Sequence, residues 1–393
     1  MRLLICAGGT GGGVYPALAV LQALQRLEAE RAASDTPSQA ADQPGAHVPG
    51  LEVLWIGGIG GMEKELVSRE GIPFEAIPAA GVHGVGWRAL PGNLWQLGRG
   101  YWQARRLLRR FQPQVMFFTG GFVAVPVALA GRLPGRGYAR PRNLLYVPDI
   151  EPGLALRTLA RFADRIALTV ERSRAYFLSH RSLVVTGYPT RAGLDAWKVE
   201  EARSVFELHP DLPTLLVLGG SKGARSINRA LFGVLEALLS EMQVVHISGK
   251  LDWGEVETVR ASLPSALRQR YKAYPYLHAE IGAAMRVADL AIARAGASTL
   301  GELPLFGLPA ILVPYPYAWR YQQVNAQYLA DSGAAEIVQD AALPSSLLPT
   351  VRRLLGDPER LRKMRAAMLA LAKPTAAQTL AEQILSLAGS STR

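Results

Sequence analysis

Each half of this chain opens with an apolar run that leads directly into a glycine-rich turn. The runs are LLICAGGTGGG at residues 3–13 and TLLVLGGSKGARS at residues 214–226. Other short apolar runs alternate with helical patterns along the 393 residues, which is typical of parallel sheets with helices on both faces. The sequence therefore predicts an α/β fold with two Rossmann-like domains. Ligands of such sheets bind beyond the carboxyl ends of the strands, so we expect the site in a cleft between the domains.

Changes in composition and the positions of glycine and proline suggest the domain limits. We expect an N-terminal domain at residues 1–187, a C-terminal domain at 188–374, and a terminal helix within 375–393 that packs back on the first domain. Residues 28–50 are polar and rich in alanine, which predicts a mobile insertion.

The longest uncharged stretch, residues 111–131, contains a TGG turn and a proline, which favours a strand, loop and helix over a membrane span. A single cysteine excludes an internal disulfide.

The formal net charge of +11 is concentrated in one stretch. No acidic residue lies between Glu75 and Asp149, whereas ten arginines do. Such a field attracts nucleic acid, anionic lipid headgroups or a polyanionic substrate. A spacing of three or four predicts that one apolar stripe faces the core, formed by Leu94, Leu97, Tyr101, Ala104 and Leu108.

Tryptophan is interleaved with arginine in this stretch. That pairing suits a headgroup interface, and the alternative is a solvated basic helix with ordinary packed tryptophans. We expect a peripheral contact with an anionic membrane surface rather than with nucleic acid. The residues of the predicted membrane contact are Trp87, Arg88, Trp95, Arg99, Trp102 and Arg106.

Neither glycine turn matches a dinucleotide fingerprint or a Walker loop. Val14 stands at the sixth position counted from Gly9, and GGSKGA lacks the Walker spacing. Both turns nevertheless precede a predicted helix, where N–H groups and the helix dipole favour anions. Glycine that serves only a tight turn is the alternative. Two such turns at matched places favour a ligand that contains phosphate.

Seven motifs occur in order along the chain: GGTGGGVYPALAV, FTGGFVAVPVALAG, VTGYPTR, VLGGSKGARSIN, SGK, ARAGASTLGELPLFGLPAILVPYP and RYQQVNA. Together they closely resemble the bacterial MurG family, over nearly the whole chain apart from residues 28–50. The resemblance implies a GT-B fold, with two Rossmann-like domains facing a cleft. It also implies an inverting transfer of GlcNAc from UDP-GlcNAc to lipid I, giving lipid II, at the cytoplasmic face of the membrane and without a metal or another cofactor.

The resemblance further implies which residues bind the donor. Glu302 would accept from the ribose hydroxyls, and Arg191 would offset charge on the departing UDP. Gln322 and Gln323 would read the hydroxyls of the sugar, and the backbone at Leu277 would contact uracil. N–H groups of the segment that begins at Ala297 would face the diphosphate. The implied donor residues are Arg191, Ser221, Leu277, Ala297, Ser298, Thr299, Glu302, Gln322 and Gln323.

By the same resemblance, the first glycine turn faces the pyrophosphate of the acceptor. The residues expected there are Gly8, Gly9, Thr10, Gly11, Gly12, Gly13, Gly120 and Gly121. The chain departs from the family on this side, because Gly13 stands at a family histidine and residues 146–149 read YVPD where the family has HEQN.

A transfer to a sugar hydroxyl normally uses a base within hydrogen-bond reach. Asp149 is the candidate base, followed by Glu151 and His83. The departures also leave two alternatives open: a transferase with a different membrane-lipid acceptor, and a catalytically impaired homologue that binds a UDP-sugar.

Overall fold

The structure, a computed structural model, describes residues 1–8, 11–35, 50–61, 63–80, 90–132, 139–220, 223–317 and 320–390. The chain divides into two compact units. The first unit comprises Met1–Arg191 and Pro374–Arg393, and the second comprises Ala192–Lys373.

The first unit is built on a parallel sheet of seven strands, in the order β3-β2-β1-β4-β5-β6-β7. Its strands are β1 (Arg2–Ala7), β2 (Glu52–Gly58), β3 (Phe74–Ile77), β4 (Val115–Gly120), β5 (Arg142–Val147), β6 (Arg165–Leu168) and β7 (Leu183–Val185). Its helices are α1 (Gly11–Asp35), α2 (Glu63–Arg69), α3 (Leu90–Phe111), α4 (Ala124–Arg132), α5 (Leu154–Ala160) and the last helix of the chain, α15 (Ala376–Gly389).

The second unit has a parallel sheet of six strands, in the order β10-β9-β8-β11-β12-β13. Its strands are β8 (Thr214–Leu218), β9 (Gln243–Ile247), β10 (Tyr271–Tyr274), β11 (Leu290–Ala293), β12 (Ala310–Leu312) and β13 (Ala335–Ile337). Its helices are α6 (Val199–Val205), α7 (Arg225–Leu239), α8 (Trp253–Ser262), α9 (Ser265–Arg268), α10 (Ile281–Val287), α11 (Glu302–Phe306), α12 (Tyr321–Asp331), α13 (Leu343–Leu355) and α14 (Pro358–Ala370).

Both sheets begin with the same Rossmann order, in which the first strand of the unit lies between its second and fourth strands. The strand order therefore reverses between β1 and β4 in the first unit and between β8 and β11 in the second. Each glycine turn follows the first strand of its unit, since β1 ends at Ala7 and β8 ends at Leu218. Both turns thus lie at the position where open α/β sheets bind ligands.

The uncharged stretch 111–131 forms a strand, a loop and a helix, as its TGG turn and proline predict: β4 is followed by α4. No helix in the described part of the chain is both long and apolar enough to cross a bilayer.

The predicted insertion is partly wrong, because α1 continues through residues 28–35 to Asp35. This segment contains three alanines and two glutamates, which favour helix, and Arg31 pairs with Glu28 one turn earlier at 3.4 Å. Residues 36–49 lie outside the described residues.

Candidate active site

The first glycine turn (residues 8–13) packs directly against the end of β4. Gly121 has a φ of +86°, and a Cβ there would lie 2.7 Å from the Gly8 carbonyl oxygen. The Thr119 hydroxyl donates a hydrogen bond of 2.8 Å to the Gly13 carbonyl. The two glycine motifs of the predicted acceptor side therefore come together, although more than a hundred residues separate them. Gly9 and Thr10 lie outside the described residues.

Gly13 belongs to the first turn of α1, with Gly11 and Gly12. A Cβ at Gly13 would lie 3.1 Å from the Thr119 hydroxyl oxygen, which is tighter than an ordinary contact. A side chain at this position therefore requires Thr119 to yield by a few tenths of an ångström.

Asp149 follows β5, the neighbour of β4, and is half-buried. Burial raises the pKa of Tyr146 well above its ordinary value, and the nearby Asp149 carboxylate acts in the same direction. The Tyr146 hydroxyl lies 2.7 Å from the Thr169 hydroxyl, which donates to the Val147 carbonyl at 2.9 Å. Tyr146 is the first residue of the predicted departure at residues 146–149, but its ring is in the core, so it does not replace a base.

The other two candidate bases differ from Asp149. Glu151 is buried, and Arg157 donates to its carboxylate at 3.1 Å. His83 lies outside the described residues.

Sequence reasoning missed one buried carboxylate, Glu63. It is 1% exposed, and its Oε1 atom accepts the Gly58 N–H at 2.8 Å. A Cβ at Gly8 would lie 2.8 Å from that oxygen, so this carboxylate packs against the start of the first glycine turn. In the sequence, the glycines within residues 57–61 are the feature that could have indicated Glu63, since at Gly57 and Gly61 a Cβ would collide with its side chain.

Arg191 is the last residue of the first unit's main segment. Its guanidinium carbon lies over the ring of Tyr15, 5.2 Å from the ring centroid. Tyr15 lies on α1, two positions after Gly13. The arginine expected to act on UDP thus contacts the helix that follows the first glycine turn.

The structure describes Gly219, Gly220 and Gly223 of the second glycine turn (residues 219–223). Gly220 and Gly223 have φ values of +74° and +85°, and a Cβ at Gly223 would lie 2.6 Å from the Ser248 carbonyl oxygen. Only glycine fits both the backbone conformation and this approach. Ser221 lies outside the described residues.

A buried polar network supports the second glycine turn. The His246 ring lies 2.7 Å from the Tyr271 hydroxyl and 3.0 Å from the Asn228 side-chain oxygen. The Asn228 amide donates to the Ser248 carbonyl at 3.1 Å and to Asp252 at 2.9 Å. Burial lowers the pKa of His246 to about 3, although the Asp252 charge acts in the opposite direction. The imidazole is therefore neutral: one nitrogen donates to Asn228 and the other accepts from Tyr271.

Arg294 connects the carboxyl ends of several strands in the second unit. Its guanidinium donates to Ser226 at 2.6 Å, to Asp340 at 2.5 Å and to the Val313 carbonyl at 3.2 Å. The same group lies 5.1 Å from the centroid of the Tyr315 ring. The start of α7, the end of β12 and the segment after β13 are thus held by one side chain.

The segment after β11, whose N–H groups are expected to face the diphosphate, is not one continuous helix. Ala297–Leu300 forms a single 3₁₀ turn, and the separate short helix α11 begins at Glu302. Within the turn, the Thr299 N–H donates to the Gly296 carbonyl at 3.1 Å. Thr299 therefore does not offer this N–H to a ligand in this conformation. Glu302 is half-buried.

The remaining predicted donor residues lie at the same edge of the sheet. The Gln322 side chain accepts the Tyr315 N–H at 2.8 Å, and Gln323 next to it is half-buried. Asn325 donates to the Ala295 carbonyl at 3.1 Å, which ties α12 to the segment after β11. Leu277 follows β10 and is buried.

The basic helix α3 exposes part of its apolar surface. Trp95 is 70% exposed and Trp102 is 67% exposed, and Arg99 and Arg106 lie exposed on the same helical face. The prediction for the core stripe holds for Ala104 and Leu108, which are buried.

The same prediction is wrong for Leu94, which is 55% exposed. Residue spacing identifies one face of a helix, but Leu94 lies near the start of α3, beyond the turns that the core covers. Trp87 and Arg88 lie outside the described residues. Among the described residues, no group of three histidine, cysteine or acidic side chains could hold a metal ion.

Two Rossmann-type sheets, each with a glycine turn where the strand order reverses, define a GT-B-like glycosyltransferase fold. Residues 47–168 match the glycosyltransferase family 28 N-terminal domain, and residues 214–383 match the glycosyltransferase family 28 C-terminal domain. The chain is 26% identical to Acinetobacter baumannii MurG, whose crystal structure it matches with a TM-score of 0.73 over 98% of this chain and 99% of that one.

Two relatives carry the name UDP-N-acetylglucosamine--N-acetylmuramyl-(pentapeptide) pyrophosphoryl-undecaprenol N-acetylglucosamine transferase. The protein from Roseiflexus sp. (strain RS-1) is 42% identical over 97% of this chain and 94% of its own length. The protein from Desulforudis audaxviator (strain MP104C) is 37% identical over the full length of both. The chain therefore belongs to the MurG family, and the predicted family and fold class are confirmed.

Proposed function

We propose that this protein transfers GlcNAc from UDP-GlcNAc to the MurNAc hydroxyl of lipid I, giving lipid II and UDP. The observation that carries the proposal is full-length similarity to enzymes named for this reaction, together with a glycine turn at the switch point of each sheet. The hydroxyl oxygen attacks the anomeric carbon, the bond from that carbon to the UDP oxygen breaks, and the hydroxyl proton passes to a base. Attack opposite the leaving group inverts the anomeric centre.

The second unit binds the donor in this proposal. The Glu302 carboxylate accepts from the ribose hydroxyls, and the backbone at Ala297 and Ser298 faces the diphosphate. Arg294 holds the surrounding segments in place before the donor arrives, which is the preorganisation that electrostatic catalysis requires. Arg191 offsets the charge that develops on departing UDP.

The first unit binds the lipid-linked acceptor. Its glycine turn presents backbone N–H groups at the start of the long helix α1, where the dipole favours the acceptor pyrophosphate. Asp149 takes the proton of the attacking hydroxyl. Support for Asp149 comes from its position beyond β5, beside the end of β4 that contacts the first glycine turn.

An anionic membrane surface is the proposed partner of α3. Its exposed tryptophans would lie among the headgroups, while the neighbouring arginines interact with anionic lipid. The protein then works as a peripheral protein at the cytoplasmic face of the membrane, where it meets a lipid-linked substrate.

The test is transfer of labelled GlcNAc from UDP-GlcNAc to purified lipid I in detergent, with the wild type, D149N and G13H. We expect transfer by the wild type, and loss of transfer but retention of UDP-GlcNAc binding in D149N. Unchanged turnover in D149N would remove the assignment of the base. Transfer by G13H alone would identify an impaired site, and donor binding without transfer by any variant would identify a different acceptor.

A further inference from the structure

The contact between Arg191 and Tyr15 joins two parts of the first unit that the sequence separates widely. Tyr15 is half-buried, and its neighbour Val14 is fully buried, so the start of α1 is fixed to the core at this point. Arg191 lies at the end of the first unit, with its guanidinium carbon 5.2 Å from the centroid of the Tyr15 ring. This distance is within the range of a cation–π interaction.

A contact with a ring does not by itself use the hydrogen-bond donors of an arginine. A guanidinium that stacks on a ring uses its flat face, while its N–H donors point outward in the plane of the group. Such a group is attracted to the ring and can still donate to phosphate oxygens. An arginine side chain has many rotamers, so a contact that restricts it lowers the ordering required when an anion binds.

We propose that Tyr15 is a positioning residue that holds Arg191 ready for the diphosphate of UDP. The inference rests on the proposed function, in which Arg191 offsets charge on UDP. It adds a physical connection: the helix behind the first glycine turn, on the acceptor side, positions an arginine that acts on the donor. A substitution near Gly13 that tilts the start of α1 then changes donor binding as well as acceptor binding.

The experiment measures UDP binding to the full chain by calorimetry, for Y15L, Y15F, R191A and the double variant Y15L/R191A. We expect Y15L to weaken UDP binding by about three- to thirty-fold, the range of a cation–π contact. Y15F keeps the ring, so it should restore wild-type affinity. In the R191A background, Y15L should cause no further loss, because the group that it positions is absent.

Y176L is the matched control. Tyr176 also lies under an arginine, Arg157, whose guanidinium carbon is 5.8 Å from the ring centroid, and it belongs to the same unit. We expect wild-type UDP affinity in Y176L. A similar loss in Y176L, a failure of Y15F to restore binding, or losses that multiply in the double variant would each overturn the proposal.

Calorimetry with UDP alone separates this proposal from the proposed function. If the wild type transfers nothing to lipid I, the acceptor assignment fails, while the UDP affinities of the four variants still decide the role of Tyr15. If transfer occurs, Y15L should raise KM for UDP-GlcNAc and leave KM for lipid I unchanged. A purely structural effect of Y15L would instead lower the unfolding temperature and change both values of KM.

Discussion

The two glycine turns occupy equivalent positions in sheets of the same order, but different forces hold them in place. The first is held by separate contacts: the close approach of Gly121 to the Gly8 carbonyl, the hydrogen bond from the Thr119 hydroxyl, and the Glu63 carboxylate beside Gly8. The second rests on buried side chains that reach from Asn228 to His246 and Asp252. A network of satisfied buried polar groups specifies one geometry, because removing any member leaves another unpaired.

The predicted departures from the family, at Gly13 and at residues 146–149, lie in the first unit. We expect the second turn, which depends on a connected polar network, to tolerate fewer changes of side chain than the first.

Matched glycine substitutions, G121A and G223A, should have the largest effects on stability and on substrate binding. Both glycines have φ near +85°, and in both a Cβ would collide with a backbone oxygen, at 2.7 Å and 2.6 Å. We expect each variant to lose about 1–3 kcal/mol of stability from the backbone conformation alone. Kinetics should then separate the units, since G121A should raise KM for lipid I and G223A should raise KM for UDP-GlcNAc.

The control for these variants is G60A. Gly60 has a φ of +76°, but a Cβ there would meet nothing within 4 Å, so the variant has the conformational cost without the collision. We expect a smaller loss of stability and unchanged KM values. Equal KM effects of G121A and G223A on both substrates would contradict the separation into acceptor and donor turns.

The buried histidine of the second unit predicts a dependence of stability on pH. The folded pKa of His246 is about 3, against about 6.5 in an unfolded chain, so the unfolded state binds the proton more tightly. The contribution that neutral His246 makes to the free energy of unfolding is fully present above pH 6.5 and is lost as the pH falls toward 3. Between pH 6.5 and 5 the loss should be about 2 kcal/mol.

Hydrogen exchange of the β9 amides, corrected for intrinsic rates, measures this loss in the wild type and in H246Q. Glutamine can donate to Asn228 and accept from Tyr271 without titrating, so the pH dependence due to this residue should disappear. A wild-type slope retained in H246Q would assign the titration to another group. Among the described residues, the first glycine turn contacts no buried histidine network, so the amides of β1 should not follow this pH dependence.

Local features of the sequence predict the strands and the position of both glycine turns, because apolar runs and glycine act through neighbouring residues. They do not predict the support of those turns. His246 and Tyr271 are 25 residues apart, and Thr119 and Gly13 are 106 residues apart, so these contacts exist only once the sheets have formed. Composition likewise failed for residues 28–35, since alanine with glutamate and arginine suits both a solvated loop and an exposed helix.

The last and smallest contrast between the two units is whether their exposed arginines form ion pairs. In the second unit Arg352 pairs with Glu241 at 2.6 Å, whereas on α3 Arg99 and Arg106 make no ion pair within the described residues. We expect R99S/R106S to weaken binding to phosphatidylglycerol vesicles, with each arginine contributing about 1 kcal/mol near an anionic surface. Stability should stay unchanged, because both side chains are exposed.

Two further variants, measured by vesicle sedimentation, sharpen this contrast. W95A/W102A removes apolar surface and should weaken binding at every salt concentration, whereas the loss in R99S/R106S should shrink as salt is added, because screening removes the attraction in the wild type too. R352S removes one exposed arginine from the second unit and should bind vesicles like the wild type. If R352S loses as much binding per arginine as R99S/R106S, net charge rather than the face of α3 drives the interaction, and the membrane contact does not belong to the acceptor unit.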